Sequence, residues 1–347
     1  MKNRITYTAA FGPYTVTNLD RDRERVLFSL ETESGMDRMG FCQAELSGTD
    51  FAPLAPGDPV TVDLDSGNGS GHGMIRVFTG RVDESVVSEK GQKVVALDDT
   101  SLLREKEVEA LYEEVSLTDI IQDLLGRIEA EPGETCPGPE VPFYVVHRRP
   151  DLHSHLHQLA EICGADIYCT GDGKLHVAAP GQGVEEHVFA VGGNVLDLEL
   201  HRNQLSYDSI EVAGEGSGSS LSADKAHWLN TEVSTVCGQA ALDETGAVKV
   251  GSLGERPRYI REGALRSTEA AEMSAEARMT WLASQLIQGR IRVYGAAAVM
   301  PGHMIRLENL PEGHAVGQLL EGGYALRVRR VRHWLTAKNG LVTQLEF

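Results

Sequence analysis

Apolar and polar residues alternate through much of the first hundred positions, which is the two-residue period of a strand with one buried face. The clearest run is Ile75 to Val87, with the sequence IRVFTGRVDESVV. Lys90-Gly91-Gln92 has the composition of a tight turn, and a second alternating run, Lys93 to Asp98, follows it. This order predicts a β-hairpin.

Further strands are predicted in the same part of the chain, where the turns between them carry Gly, Pro, Asn or Asp. They are Arg4 to Thr8, Val16 to Asp20, Arg25 to Glu31, Met39 to Leu46 and Pro59 to Asp65. Many short strands at close spacing indicate an antiparallel sandwich or barrel. The glycine-rich run Gly67 to Gly73 is followed by a predicted strand, which favours a hairpin loop over a phosphate-binding loop.

After Asp98 the spacing of apolar residues changes to that of a helix. One apolar face is formed by Ile120, Ile121, Leu124, Leu125 and Ile128. Ser116 is the predicted N-cap of this helix, with Asp119 three residues later. A second helix is predicted from Asp151 to Cys163, and a strand, a tight turn and another strand follow it. The Pro- and Gly-rich stretch 131–142 is predicted to connect the two helices.

The rest of the chain returns to strands around one helical stretch. Strands are predicted at His187 to Val191, Val195 to Arg202, Asp208 to Ala213, Arg290 to Ala298, His303 to Glu308, Tyr324 to Thr336 and Leu341 to Phe347. Glu262 to Gln288 predicts a long helix. Gly214 to Ser220 has the composition of a flexible joint, and the stretch from there to Tyr259 has no clear pattern.

The order of these signals resembles the late control protein D family, the baseplate hub proteins of myophage tails, R-type tailocins and contractile injection systems. The matching segments begin with FTG at Phe78, the hairpin, the strand ending at Asp98, Leu102-Leu103, Tyr112 and the DIIQDLL helix. Later matches are Leu159 to Gly164 with Gly173 to Val177, Gly295 with Pro301-Gly302 and Ile305 to Leu307, and Tyr324 to His333 with Thr343 to Phe347. The resemblance therefore runs from about Phe78 to the C-terminus, except for Gly214 to Gly289, which agrees only in length and helix content.

The resemblance implies an α+β fold that is mainly β. Two tube-like antiparallel β-barrel domains would carry an inserted α/β module between them and a helical insertion within the second barrel. The expected divisions are residues 1–112, 113–183 and 184–347, with the insertion at about 214–289. The two β units share no clear sequence repeat, so their duplication is implied by the resemblance alone.

The resemblance also implies a function. In this family three subunits form a ring of pseudo-sixfold symmetry that joins a sixfold tail tube to a threefold central spike. Partners would be two further copies of the chain, the spike, the tube and baseplate wedge proteins, with the tape-measure protein as a further candidate. The chain would be made in the bacterial cytoplasm and reside in a virion or injection particle.

An alternative function is a cell-wall hydrolase at the same location. The sequence contains no GxSxG elbow and no cysteine in a nucleophile motif, so the non-enzymatic interpretation is favoured. A null result in a peptidoglycan digestion assay would remove the hydrolase.

Composition limits the other possibilities. A net charge of −19 argues against stable nucleic-acid binding, and an acidic channel wall would repel phosphate. No apolar run approaches the roughly 20 residues of a membrane helix, so membrane insertion is not expected. The N-terminus lacks the apolar core of a signal peptide, which predicts a cytoplasmic product until assembly. The five cysteines form no CxxC pair and are expected to be reduced and mostly buried.

No metal or cofactor is expected from the sequence. His153 and His157 lie four residues apart, which is a usable ligand spacing on a helix. However, His155 would point to the other side, and His147 lies outside the predicted helix. HExxH is absent from the chain, and these histidines are interpreted as a hydrated or interface-facing set.

Two segments are candidates for subunit contacts. Leu326 to Trp334, with the sequence LRVRRVRHW, is the one concentrated basic element and carries Arg327, Arg329, Arg330 and Arg332. In an acidic chain these arginines are expected to pair with carboxylates of a neighbouring subunit or of the same barrel, and a subunit contact is favoured. A nucleic-acid stripe is the less favoured alternative, because Trp334 is the only aromatic residue among them. The second candidate is Phe78, Thr79 and Gly80, if their strand lies at a barrel junction.

Overall fold

The computed structural model describes residues 5–19, 26–47, 53–66, 73–181, 185–215, 236–320 and 326–347. Seven strands form the first β unit: β1 Thr6–Phe11, β2 Tyr14–Thr17, β3 Val26–Gly35, β4 Phe41–Ser47, β5 Pro59–Asp65, β6 Ile75–Ser88 and β7 Gly91–Leu97. The predicted hairpin is confirmed, since β6 and β7 pair antiparallel from Arg81 with Leu97 to Ser88 with Gly91. Most of the predicted glycine-rich loop, residues 67–72, lies outside the described residues.

The α/β module follows the short helix α1 Thr100–Glu105. Its elements are β8 Ala110–Ser116, α2 Leu117–Leu125, β9 Glu131–Thr135, β10 Glu140–Val146, α3 Leu152–Ile162, β11 Asp166–Cys169 and β12 Lys174–Ala178. The predicted cap of α2 is confirmed, because the Ser116 hydroxyl accepts the Asp119 amide at 3.1 Å. The stretch 131–142 is not a plain connection, since it contains β9 and the start of β10.

The second β unit and its insertion make up the remainder. Their elements are β13 Glu186–Ala190, β14 Val195–Arg202, β15 Ser209–Ala213, β16 Cys237–Leu242, β17 Val248–Val250, β18 Pro257–Arg261, α4 Thr268–Ala283, β19 Ile287–Tyr294, β20 Met304–Glu308, α5 Ala315–Leu320, β21 Leu326–Arg327, β22 Arg330–Thr336 and β23 Gly340–Glu346. Most of the predicted joint, residues 216–220, lies outside the described residues.

The long helix predicted from Glu262 to Gln288 is shorter in the structure. Its first residues complete a turn after β18, and α4 starts only after Ser267, whose hydroxyl accepts the Ala270 amide at 3.1 Å. At the other end the chain leaves the helix at Ser284 and enters β19 at Ile287. Local N-capping and strand pairing therefore override the helical pattern at both ends.

One antiparallel sheet unites the two β units. Its strand order is β14-β19-β23-β22-β3-β4-β7-β6-β5-β1-β2, so β22 of the second unit pairs directly with β3 of the first. The fold is thus α+β and mainly β, as predicted. Within this sheet, β14 and β2 are the terminal strands.

Among the described residues, three large hydrophobic cores lie around this sheet. One is formed mainly by the first β unit together with Ala297, Leu335 and Leu341 of the second, and another lies within the second unit. The third joins the module to the insertion, because α4 residues such as Met279 pack with α3 residues such as Leu159. The Ser274 hydroxyl donates to the Ile162 carbonyl at 2.8 Å in this buried contact. The insertion therefore packs on the module, and the predicted domain boundaries stay predictions.

Among the described helices, none has both the length and the apolarity needed to span a bilayer. All five cysteines are free, and four of them are buried.

Candidate subunit surface

The first two arginines of the basic segment are turned into the molecule. Arg327 is 4% exposed, and its guanidinium donates to Asp166 at 2.5 Å and to the Ala178 carbonyl at 3.3 Å. Arg329 donates to the other oxygen of Asp166 at 2.9 Å and to Asp37 at 3.4 Å. Both arginines therefore connect β21 and the turn after it to β11 of the module.

Asp166 is the centre of this network and is fully buried. It also accepts the indole N–H of Trp281 from α4 at 2.9 Å. Burial alone would raise the pKa of Asp166, but the guanidinium groups of Arg329 and Arg327 hold the pKa below its usual value. The carboxylate is consequently ionised and fully paired, which a buried charge requires.

Asp37 lies at the edge of the same network, in the turn between β3 and β4. Its backbone amide donates to the Ile167 carbonyl at 2.8 Å, and its φ of 56° is in the left-handed region. The Asp37 side chain is 32% exposed. Its partial burial and the neighbouring charge of Asp166 raise the pKa of Asp37 to about 6, against the opposing effect of Arg329. The network thus holds one carboxylate that ionises readily and one that resists ionisation.

Arg330 and Arg332 have a different environment, on one face of the large sheet. Cross-strand neighbours on this face alternate in charge, and we call it the charged face. Its residues are Glu31, Glu33, Asp197, Glu199, Arg290, Arg292, Arg330, Arg332, Gln344 and Glu346. The residues that alternate with them on β19, β22 and β23, including Ile291, Val331 and Leu345, are buried in the core of the second unit.

The charged face is continuous through contacts between side chains. Arg290 contacts Glu199 at 2.8 Å on one side of the face, and Arg330 contacts Glu346 at 2.9 Å. Arg332 pairs with Glu31, and its Nε lies 3.6 Å from Glu33. Opposite charges directly across paired strands stabilise their register.

Gln344 links the two halves of this face. It accepts from Arg292 at 3.1 Å and donates to Glu346 at 2.9 Å. Arginine and carboxylate groups therefore follow one another across five strands, from β14 to β3.

The basic segment thus pairs with carboxylates of its own chain. Only the Arg330 pair with Glu346 lies within the second β unit, whereas Arg327 and Arg332 reach the module and the first β unit. A contact of Arg327, Arg329, Arg330 or Arg332 with another subunit is untested and stays a prediction. Sequence reasoning missed their partners on the charged face. The available signal was the charge at alternate positions of predicted strands, as in Asp197 and Glu199.

Phe78, Thr79 and Gly80 lie where β6 meets the module. Phe78 is buried in the core of the first unit. The Thr79 hydroxyl donates to the Gly171 carbonyl at 2.8 Å, in the turn between β11 and β12. Gly80 has no room for a side chain, because a Cβ there would lie 2.1 Å from the Leu97 carbonyl oxygen. The segment holds a junction within the chain, and its contact with another subunit stays a prediction.

The histidines around α3 lie in two separate environments. His155 is buried, and its Nε2 lies 2.8 Å from the His147 carbonyl oxygen. His153 and His157 have ring centroids 6.2 Å apart on the other side of the helix.

A different group of possible metal ligands comprises Glu185, His187 and His303. Sequence reasoning did not find it, because its members are brought together by strand pairing from positions more than a hundred residues apart.

The similarity of this chain to known proteins lies in its three-dimensional structure. No protein-family model matches the sequence, and no curated protein matches it significantly. Among solved structures, the 43 kDa tail protein of prophage MuSo2 from Shewanella oneidensis aligns with a TM-score of 0.61 and 13% identity, over 98% of this chain and 97% of that chain. A tail protein from Neisseria meningitidis MC58 aligns with a TM-score of 0.66 and 11% identity, over 99% and 95%.

A third similar structure is an Escherichia coli component of the type VI secretion system, described as similar to the T4 bacteriophage tail proteins gp27 and gp5. It aligns with a TM-score of 0.54 and 10% identity, over 97% of this chain and 75% of that chain. The chain has the fold of these tail and secretion-system proteins, so the resemblance predicted from its sequence is confirmed at the level of the fold.

Proposed function

We propose that this chain is a structural subunit of a phage tail or contractile injection apparatus. Three copies would form a ring of pseudo-sixfold symmetry between a sixfold tail tube and a threefold central spike. Support comes from the fold, which is shared with phage tail proteins over nearly the whole length of this chain and of theirs. The role is mechanical, since such a ring transmits force through its interfaces without chemistry.

The observation that carries this proposal is the single sheet formed by both β units. Two β units in each of three chains would supply six β segments around an axis, which suits the change from sixfold to threefold symmetry. A strand at the end of a sheet exposes backbone donors and acceptors, and ring closure would cover them. β14 is such a strand, because among the described strands it pairs only with β19.

The arginines contribute to this proposal in two ways. Arg327 and Arg329 fix the module against β21, so they would set the geometry of the subunit. Arg330 and Arg332 present charge on the charged face, where complementary groups of a neighbouring copy would specify the register of the ring. Phe78, Thr79 and Gly80 would act indirectly, by holding the module on the first β unit.

The wider partners follow from the same proposal. The tube would bind one end of the ring, the spike the other, and baseplate wedge proteins the rim, with tape-measure protein as a further candidate for the opening. The chain would belong to the virion or injection particle. Its net charge of −19 disfavours a stable grip on nucleic acid, which suits a passage.

A charge placed on β14 tests the ring. Leu196 is 44% exposed on this strand, and Leu196→Lys would put an ammonium where a neighbouring strand or side chain packs. We expect the assembly to weaken about tenfold or more, since burying a leucine contributes about 1.5–3 kcal/mol. Sedimentation velocity over a concentration series would measure the change.

Val250→Lys is the matched control for this variant. Val250 is 46% exposed on β17, in a separate four-stranded sheet. It receives the same charge and should assemble like the unaltered chain. Equal assembly by both variants would exclude β14 from the contact between subunits.

A further inference from the structure

Strand pairing brings together three side chains at the start of the second β unit. β13 and β20 pair in parallel, with Glu186 opposite Met304 and His187 opposite Ile305. The Met304 amide donates to the Glu185 carbonyl at 2.9 Å, so His303 lies beside Glu185. His187 follows Glu185 by two residues and therefore points to the same side of the strand.

The ligand atoms of these residues converge. Nε2 of His187 lies 2.8 Å from Nδ1 of His303 and 3.8 Å from a carboxylate oxygen of Glu185. All three ligand atoms lie within 4.8 Å of one another. The imidazole centroids are 5.0 Å apart and their planes differ by 22°, so the two nitrogens face each other nearly in plane.

We propose that Glu185, His187 and His303 bind a divalent transition-metal ion of the Zn²⁺ and Co²⁺ type. Two imidazole nitrogens and one carboxylate oxygen are a suitable donor set for such ions and leave a fourth position for water. Zinc–nitrogen bonds of about 2.0–2.1 Å place tetrahedral ligands about 3.3 Å apart. The two nitrogens would need to separate by about half an ångström, and the imidazole rings to tilt so that both lone pairs point at the ion, to reach this geometry.

A simple hydrogen bond between the two imidazoles accounts for one part of this geometry. It would need one proton between Nε2 of His187 and Nδ1 of His303, and it makes no use of Glu185. A metal ion would replace that proton and also the 3.3 Å contact of the Met300 amide with Nδ1 of His303. Participation of Glu185 therefore distinguishes the two arrangements.

The metal would join two parts of the second β unit. Phe189 and Ile305 lie on the same side of these strands, next to the site, and are buried in the core of that unit. Glu185 is the first described residue after the segment that links the module to β13. A bound ion would fix the start of β13 to the start of β20 and so stabilise the folded chain.

The test uses the full chain, freed of metal by chelation and titrated with Co²⁺, whose visible absorption reports nitrogen and oxygen coordination. We expect one Co²⁺ per chain, displacement by Zn²⁺ and a rise in Tm with either ion. His187→Ala and His303→Ala should each weaken binding at least about tenfold, and Glu185→Gln should weaken it measurably.

The double variant His153→Ala, His157→Ala is the control, because it removes the other histidine pair with a usable spacing. It should bind Co²⁺ as the unaltered chain does. The proposal is overturned if the unaltered chain binds no Co²⁺ at millimolar concentration, or if the control alone loses binding. If circular dichroism shows that the alanine variants do not fold, unchanged affinity in Glu185→Gln together with an unchanged Tm overturns it.

Discussion

Asp166 shows how a single buried charge holds the parts of this chain together. Its carboxylate accepts from Arg327 of β21, from Arg329 and from Trp281 of α4. The module, the insertion and the second β unit therefore meet at one residue. Removing a partner would leave a charge in a site shielded from solvent, which costs far more than losing an exposed ion pair.

We expect Arg327→Met to lower the free energy of unfolding by about 3–5 kcal/mol, because it leaves Asp166 short of one counter-charge. Guanidinium denaturation of the full chain would measure this. Arg332→Met is the matched control, since its side chain is 34% exposed and pairs at the surface with Glu31. Its loss should stay below about 1 kcal/mol. Equal losses of unfolding free energy in the two variants would show that the buried Asp166 network contributes no more to stability than an exposed ion pair.

Asp37 makes the stability of the chain depend on pH. Its pKa is about 6 in the folded state, above the value of about 4 in an unfolded chain. The folded state therefore binds the proton more tightly, and stability falls as the pH rises from about 4 through 6.

We expect Asp37→Asn to be more stable than the unaltered chain at pH 7 and the difference to vanish near pH 4. The gain should be only about 1 kcal/mol, because the Asp37 side chain is 32% exposed and solvent screens its charge. Asparagine also tolerates the left-handed backbone found at this position. Thermal unfolding at several pH values would test both points. A difference that grows on acidification would contradict the assignment.

Helices and strands could be predicted from the sequence where their pattern lies in neighbouring residues. The hairpin of β6 and β7 and the capped helix α2 follow from alternation, a turn and Ser116. Within the part of the chain that the structure describes, β8 and β10 pair only with each other, and they do not alternate clearly in sequence, so the same reasoning missed them. Helix α4 was predicted too long, because pairing with distant strands decides where its flanking residues go.

The charged face likewise depends on how strands pair. Each of its strands carries charges at alternate positions, which the sequence displays. Which strands become neighbours is set by pairings such as β22 with β3, whose partners are about 300 residues apart. The arginines could therefore be selected from the sequence, whereas their partners could not.

Gly80 offers a test of the junction between β6 and β7. A methyl group in Gly80→Ala would meet the Leu97 carbonyl oxygen, so the strands must separate, at a cost of about 1–3 kcal/mol. Gly317→Ala is the control, because this helical glycine has open space around its Cβ position. It should change stability by less than about 1 kcal/mol, in the stabilising direction. Chemical denaturation of both variants would measure their stability. A Gly80→Ala variant as stable as the unaltered chain would refute the close approach of Gly80 to the Leu97 carbonyl.

At the scale of the whole molecule, the resemblance in the order of sequence signals predicted the fold correctly. The structure adds that both β units share one sheet, and that the insertion packs on the module in a common core. Contacts of this kind join residues more than a hundred positions apart, as Ser274 with Ile162, and no local pattern encodes them. The trimeric ring is a proposal, in which three copies of this sheet close around an axis.

The most direct measurement is the molar mass of the purified chain by light scattering, with negative-stain images of the same chromatographic peak. Our account predicts three times the mass of one chain and closed rings with a central opening. A chain that stays monomeric at every concentration, with particles that show no opening, would contradict it.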